Sequence, residues 1–250
     1  MDISRKELFI VKRNLILMLV CLFVFTALPA FGANPSSGYK LQISDEMAKQ
    51  HVKQLKAMMK EGKTDKEFKF EATALKNGKQ INVPVKSATM KLGEFTTEDG
   101  NTVDAYTSLA SSEIPLDSPK ELEYAGITSN IHMYWHETLP EDYAVYINFD
   151  KGYGWWERNS TMSYVQDGLF LGKHCLMTIE GLDGGDIQEK NIGTPTWSSG
   201  TTGTYRLDFP SDDFTLKENA MPNEYFAFLQ SDIYYQNDKI YNNFKVNHGF

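Results

Sequence analysis

Cysteine is nearly absent: the 250 residues carry only Cys21 and Cys175. Cys21 sits in an apolar run that reads as a removable leader, so Cys175 would be the only thiol of the processed chain. No intramolecular disulfide is then possible, and the fold has to stand on its core. Within HCLMTI, Cys175 reads as a small buried residue of a strand, with a reactive thiol or an intermolecular bridge as the alternatives. Strong catalytic signatures are missing as well. There is no G-x-S-x-G elbow, Walker A sequence, H-E-x-x-H pair or C-x-x-C pair. Ser37 and Lys40 make an S-x-x-K, but outside any helix start and without its companion motifs, so no catalytic residue is assigned.

Positive charge is scarce too. The formal net charge is -8, and the first 32 residues hold four basic and two acidic side chains, so the remainder stands near -10. Such a chain repels phosphate backbones, and no basic cluster interleaved with aromatics offsets this, which excludes nucleic acid as the expected partner. No cofactor motif is present. His132 and His136 would converge on a metal if helical, but the alternation around them predicts a strand, where they stand roughly 13 Å apart. Asp99, Asn101 and Asp104 lack the spacing and distal Glu of a calcium loop. No metal site is therefore assigned.

What is present begins with Arg5, Lys6, Lys12 and Arg13, then an unbroken apolar run from Leu15 to Phe25, then TALPAFGA. This is the layout of a secretory signal peptide over residues 1–32, with cleavage expected after Gly32 or, second, after Ala33. The run is short for a membrane span. Val20 stands where a lipobox before Cys21 would need a small residue. With 41% hydrophobic residues, the remainder can bury a core and disorder is not expected.

From Asp45 to Glu61, the residues Ala48, Val52, Leu55 and Met59 recur at helical spacing, between Ser44 as N-cap and Gly62 as terminator. The stripe is expected to cover a sheet, with a partner or membrane face as the alternative. Two hairpins follow. EFKFEATAL and KQINVPVKSATM flank Asn77-Gly78, the signal for a type I′ turn, and SATMKLGEFTT and TVDAYTSLA flank Asp99-Gly100. Pro115 and Pro119 then interrupt the rhythm. The expected organisation is a signal peptide (1–32), a helix with hairpins (33–112), a linker (113–120) and an antiparallel β-sandwich-like domain (121–250).

In that final domain, Ile131 to His136 and Tyr143 to Phe149 alternate as two strands of a hairpin. Asp150 to Gly154 reads as a glycine-rich reversal before Trp155 and Trp156, of which one should enter the core and the other face solvent. MSYV, GLFLG, HCLMTIEG and TYRLDFP read as further strands, with Tyr205, Leu207 and Phe209 on one face. GLDGGDIQEKNIGTPTWSSGTTG reads as a long loop, and the Tyr- and Phe-rich end as a final hairpin around Asn237-Asp238. The fold class expected is mainly β, a sandwich-like module preceded by one amphipathic helix and two hairpins.

The leader, the helix and the paired hairpins ending in KLGEFTTEDGNTVDAYTS resemble a loose group of uncharacterised secreted β-rich proteins from Gram-positive bacteria. The resemblance implies export and names no activity. Aromatic rings beside glycines supply the remaining functional signal, and the expected ligand-binding set is Tyr134, Trp135, Tyr153, Trp155, Trp156 and Trp197. These rings point to a secreted, non-catalytic protein that engages an extracellular polymer or a protein partner. An antimicrobial or toxin-like action on a target membrane surface is the second reading, and the net negative charge argues against it. Scattered carboxylates, Glu137, Glu141, Asp142, Glu157 and Asp186, keep a glycan hydrolase as a third. Mass spectrometry of the exported chain is expected to find its N-terminus at Ala33; recovery of only the full-length chain from inside the cell would refute the leader.

Overall fold

The predicted helix forms where its caps place it. In the structure, a computed structural model describing residues 41–68, 70–96, 102–114, 126–138, 146–158, 163–178, 181–193, 200–209, 215–216, 226–235 and 237–249, helix α1 spans Asp45–Glu61. Ser44 Oγ accepts from the Met47 amide at 3.2 Å, and Gly62 closes the helix at φ 65°. That left-handed conformation costs glycine little, and the amides of Gly62 and Lys63 satisfy the Met59 and Met58 carbonyls.

Among the described residues twelve strands follow: β1 (Phe70–Lys76), β2 (Lys79–Asn82), β3 (Val85–Thr96), β4 (Thr102–Ile114), β5 (Ile127–Thr138), β6 (Tyr146–Arg158), β7 (Ser163–Thr178), β8 (Gly181–Gly193), β9 (Gly200–Asp208), β10 (Thr215–Leu216), β11 (Phe226–Tyr235) and β12 (Asp238–Gly249). They build two antiparallel sheets packed against each other. The first runs β2, β1, β12, β11, β7, β8; the second runs β10, β6, β5, β4, β3, with β9 sharing the β10 side of β6. The mainly β, sandwich-like expectation holds. The first early turn forms as read, with Lys76 paired with Lys79 across Asn77 (φ 52°) and Gly78 (φ 75°), but the run KQINVPVKSATM divides at Val83-Pro84 into β2 and β3, which join different sheets. In the second hairpin Thr96 pairs with Thr102, and the Asp99-Gly100 turn lies outside the described residues.

The second sheet is covered on both faces. One face meets the first sheet through Trp135, Phe149, Trp156, Phe170, Leu229 and Phe244, all at most 1% exposed. The other face meets α1, where Leu55 packs with Ala105, Leu109, Tyr134 and Trp155. Burying Leu55 completely stabilises this layer by about 2 kcal/mol. The stripe of α1 is thus used on its own sheet.

The free edge of β3 is shielded by the segment that leaves α1. The Asp65 amide donates to the Thr89 carbonyl at 2.8 Å, Thr64 Oγ1 accepts from the Thr89 amide at 3.0 Å, and Asp65 Oδ2 accepts from the Lys91 amide at 2.9 Å. An edge covered in this way no longer offers its ladder to another strand.

Four expectations need correction. Asp150 to Gly154 is not a reversal but the middle of β6. Gly152 and Gly154 serve close packing: a Cβ on Gly152 would meet Met133 Sδ at 2.8 Å, and one on Gly154 would meet Leu229 Cδ1 at 3.0 Å. GLDGGDIQEKNIG is not loop but strand β8, paired with β7 from Thr178 and Gly181 outward, and the separate runs MSYV, GLFLG and HCLMT are one strand, β7. The segment 113–120 does not separate a first module from a second, because Ile114 pairs with Ile127, β1 pairs with β12, and the described residues belong to one compact unit. Cys175 lies on β7 opposite Gly184 as a strand residue, and its side chain is outside the described set.

The fourth correction concerns the tryptophan pair. Trp155 and Trp156 do point to opposite faces, but both are buried, at 6% and 0% exposed: Trp156 lies in the sandwich core and Trp155 packs among the residues of the helix layer. Replacing either one with Ala is expected to cost about 3–5 kcal/mol of stability, measured by denaturant unfolding. A neutral Trp155→Ala would show that α1 does not cover that ring.

Candidate functional site

A β-bulge decides which side chains reach the helix layer. On β5, Tyr134 pairs with Lys151 and Trp135 with Phe149, leaving Asp150 as an extra residue on β6. Phe149 and Gly152 therefore both face the sandwich core, while Asp150 and Lys151 both turn to the α1 side. There Asp150 Oδ2 lies 2.9 Å from His136 Nδ1, and Lys151 Nζ donates to the Ile43 carbonyl at 2.6 Å. These buried polar groups tie the residues before α1 to the sheet.

Beyond the bulge, Tyr153, Trp155 and Glu157 share that face. Helix α1 packs against the β3 and β4 side and leaves the β6 and β9 side open, creating a cleft of about 390 Å³. Its helix wall is Asp45, Ala48, Lys49, Val52 and Lys56, which recur at one-face spacing. Its sheet wall is His132 of β5, Tyr153, Trp155 and Glu157 of β6, and Thr204 and Arg206 of β9. That volume falls within the range of small-molecule sites.

Charges gather at the two ends of the cleft and are matched. At one end, Tyr153 Oη donates to Asp45 at 3.0 Å, and Arg206 bridges Asp208 at 2.7 Å and Asp45 at 3.7 Å. At the other, Glu157 Oε1 accepts from Lys56 Nζ and from Trp155 Nε1, each at 2.9 Å. Burial would push the Glu157 carboxyl up, but those two hydrogen bonds and the Lys56 charge hold it below its usual value. It is ionised at neutral pH, so the pair with Lys56 persists. Tyr153 is pushed up by burial and then by its bond to the Asp45 carboxylate, and remains a neutral donor.

Beneath the cleft lies a buried polar stack. His132 Nε2 shares a hydrogen bond with Thr107 Oγ1 at 2.7 Å, its ring stacks on Tyr153 at 5.7 Å, and Tyr134 tilts against it at 4.7 Å. His51 of α1 reaches into the same stack, with Nδ1 2.8 Å from Tyr134 Oη. Burial pushes Tyr134 up, so it does not ionise near neutrality.

Of the aromatic set expected from sequence, only Tyr153 and Trp155 line this cleft. Tyr134 lies under it, Trp135 and Trp156 belong to the sandwich core, and Trp197 lies outside the described residues. The expectation of exposed rings is corrected: all five described rings are at most 6% exposed. Asp45, Lys49, Val52, Lys56, Thr204 and Arg206 were missed as site residues, although the one-face spacing of the first four was readable once the helix was placed. His132 and His136 share a face of β5, and each has a protein partner. Among the described residues, no cluster of three His, Cys, Asp or Glu side chains is arranged to hold a metal. Glu137 pairs with Lys66 on the sandwich face while Glu157 sits in the cleft, so these two carboxylates flank no common site. Glu141 and Asp142 lie outside the described residues, as does the side chain of Asp186.

Burial lowers the pKa of His51 from its ordinary value of 6.5. The unfolded chain therefore takes up its proton first: stability is complete above about pH 6.5 and falls as the pH drops below that value. The groups facing His51 from the sheet are Tyr134 and, behind it, His132 and Tyr153, so no carboxylate in this stack receives the proton charge. The melting temperature is expected to fall from pH 7 to pH 5, and His51→Gln should flatten that slope. An unchanged slope in the variant would place the acid sensitivity elsewhere.

Compared with known proteins, the chain matches no family model, no curated protein and no solved structure.

Proposed function

We propose that the chain is an exported, non-catalytic binding protein that holds one unit of an extracellular polymer in the cleft between α1 and the β6–β9 side of the second sheet. One observation carries this reading: nearly buried aromatic rings line a concave site between two ion-paired ends. Every described ionisable group in the lining already has a protein partner or lies at the solvent rim, an arrangement suited to recognition more than to proton transfer. The leader-like start of the chain supports action outside the cell.

The membrane-directed alternative is less favoured. The apolar stripe of α1 is used on the sheet, and among the described residues no helix is long and apolar enough to cross a membrane. The carboxylate geometry gives hydrolysis no support among the described residues, since Glu137 and Glu157 lie on opposite faces.

The test is co-sedimentation of the chain without its leader with insoluble cell-wall polymer. Thr204 is exposed at the mouth of the cleft, so Thr204→Trp should fill it without disturbing the core. The wild type should pellet, and the variant should bind about tenfold more weakly, a loss of about 1.4 kcal/mol. Wild-type protein that stays in solution, or equal pelleting of both, would remove the cleft from the function.

A further inference from the structure

We infer that α1 is an acid-released cover: protonation of His51 lifts the helix from the second sheet and opens the cleft, while the sandwich stays folded. That the opening empties the cleft rests on the binding role proposed above; the release of the helix does not. The observation behind it is where the buried charge sits. Among the described residues six His, Asp, Lys or Arg side chains are buried, and five of them, His51, His132, His136, Asp150 and Lys151, lie in the helix layer. The sixth, Arg158, ends β6 and keeps its charge at every working pH. Between pH 7 and pH 5 the side chains that change charge are chiefly histidines, so acid acts on the layer under α1 and spares the packing between the sheets.

His51 is the histidine that the helix itself carries. Its Nδ1 lies 2.8 Å from Tyr134 Oη, a hydroxyl that burial keeps neutral. Beyond Tyr134 stand the rings of His132, at 4.7 Å, and Tyr153, at 6.3 Å. The charged groups on this side of the sheet are already engaged. Asp150 lies against His136, Lys151 donates to the Ile43 carbonyl, Asp45 holds Tyr153 and Arg206, and Glu157 holds Lys56. From β3 and β4 the layer receives Ala88, Met90, Ala105 and Leu109, none of which titrates. An imidazolium at His51 therefore meets a neutral hydroxyl and apolar side chains where it needs water or a carboxylate. Burial lowers its pKa for this reason, and the proton is taken up more readily once the helix is off the sheet.

The helix has little else to hold it. Only three of its side chains are buried, Ala48, His51 and Leu55, so the site that acid disrupts is one of three anchors. The rim pairs Lys56 with Glu157 and Arg206 with Asp45 are 35% or more exposed and contribute little. A helix of 17 residues without a packing face is marginal in water, so lifting and fraying go together. The chain on either side stays tied down, Ile43 by Lys151 and the Asp65 amide by the Thr89 carbonyl. Those ties confine the opening to α1 and let it reclose at neutral pH.

Hydrogen exchange of the purified chain, read peptide by peptide at pH 7 and pH 5 and corrected for the intrinsic exchange rate, tests this. Opening linked to one proton grows about tenfold per pH unit between the closed- and open-state pKa values, so protection of α1 should fall by about tenfold at pH 5. Strands β11 and β12 of the first sheet should keep theirs. His51→Gln retains a hydrogen-bonding group against Tyr134 and takes no proton, so protection of its helix should be equal at the two pH values, whatever its absolute level. Loss of protection in helix and strands together would be global unfolding and would overturn the inference. An α1 that stays protected at pH 5, or a His51→Gln chain with the wild-type pH ratio, would overturn it as well. Co-sedimentation then separates the helix from the ligand. Wild type should pellet with wall polymer at pH 7 and stay in solution at pH 5, and His51→Gln should pellet at both. No pelleting at pH 7 would remove the binding role and leave the acid-released helix standing, whereas pelleting at pH 5 with α1 open would break the link between the helix and the cleft's ligand.

Discussion

Coverage of the second sheet on both faces is the constraint from which the rest of this structure follows. A sheet with one wet face needs apolar residues at every second position only; β4, β5 and β6 need buried residues at nearly every position. Tyr134 and Trp135 are neighbours in sequence and both are fully buried, as Trp155 and Trp156 nearly are, because each pair divides itself between the helix layer and the sandwich core. The bulge at Asp150 belongs to the same solution. By inserting one residue it keeps Phe149 and Gly152 on the sandwich side, and the glycines at 152 and 154 leave the space that Phe170 and Leu229 of the facing sheet occupy.

The helix layer differs in chemistry from the sandwich core. His51, Thr107, His132, Tyr134, His136, Asp150 and Lys151 are all buried there, each with a hydrogen-bond or ion-pair partner. Buried polar groups of this kind add less net stability than apolar packing would, but they tolerate few alternative arrangements. They fix where α1 sits on the sheet. Since α1 is also one wall of the cleft, the shape of the cleft is set by the same contacts, and acid that protonates His51 acts on both.

The short reach of α1 across the sheet is what leaves a site at all. It covers the β3 and β4 side and stops before β9, and the residues along the resulting cleft are ones that a solvent-exposed helix flank and a strand edge carry anyway: Lys, Asp, Glu, Arg and Thr. Their pairing into matched ends, with aromatic rings between, distinguishes this face from ordinary surface. The net charge of -8 carried by the chain is not concentrated here, so recognition at the cleft does not depend on long-range attraction.

Local features were legible in the amino-acid sequence because their causes are local. Ser44 and Gly62 bound the helix through their own backbone preferences, Asn77-Gly78 sets a turn that needs two positive φ angles, and alternation from Ile131 to His136 marks a strand whatever lies around it. The mainly β class and the helix stripe follow from those signals. Tertiary structure alone decided the remainder. That both tryptophans are buried depends on what covers each face; that Gly152 and Gly154 lie in a strand depends on Phe170, which is distant in sequence; that GLDGGDIQEKNIG is a strand depends on pairing with β7, since it has no period of its own. The cleft was illegible for the same reason: Asp45 with Arg206 and Lys56 with Glu157 are joined across more than a hundred residues in each case, and only the packing of α1 on the sheet brings them together.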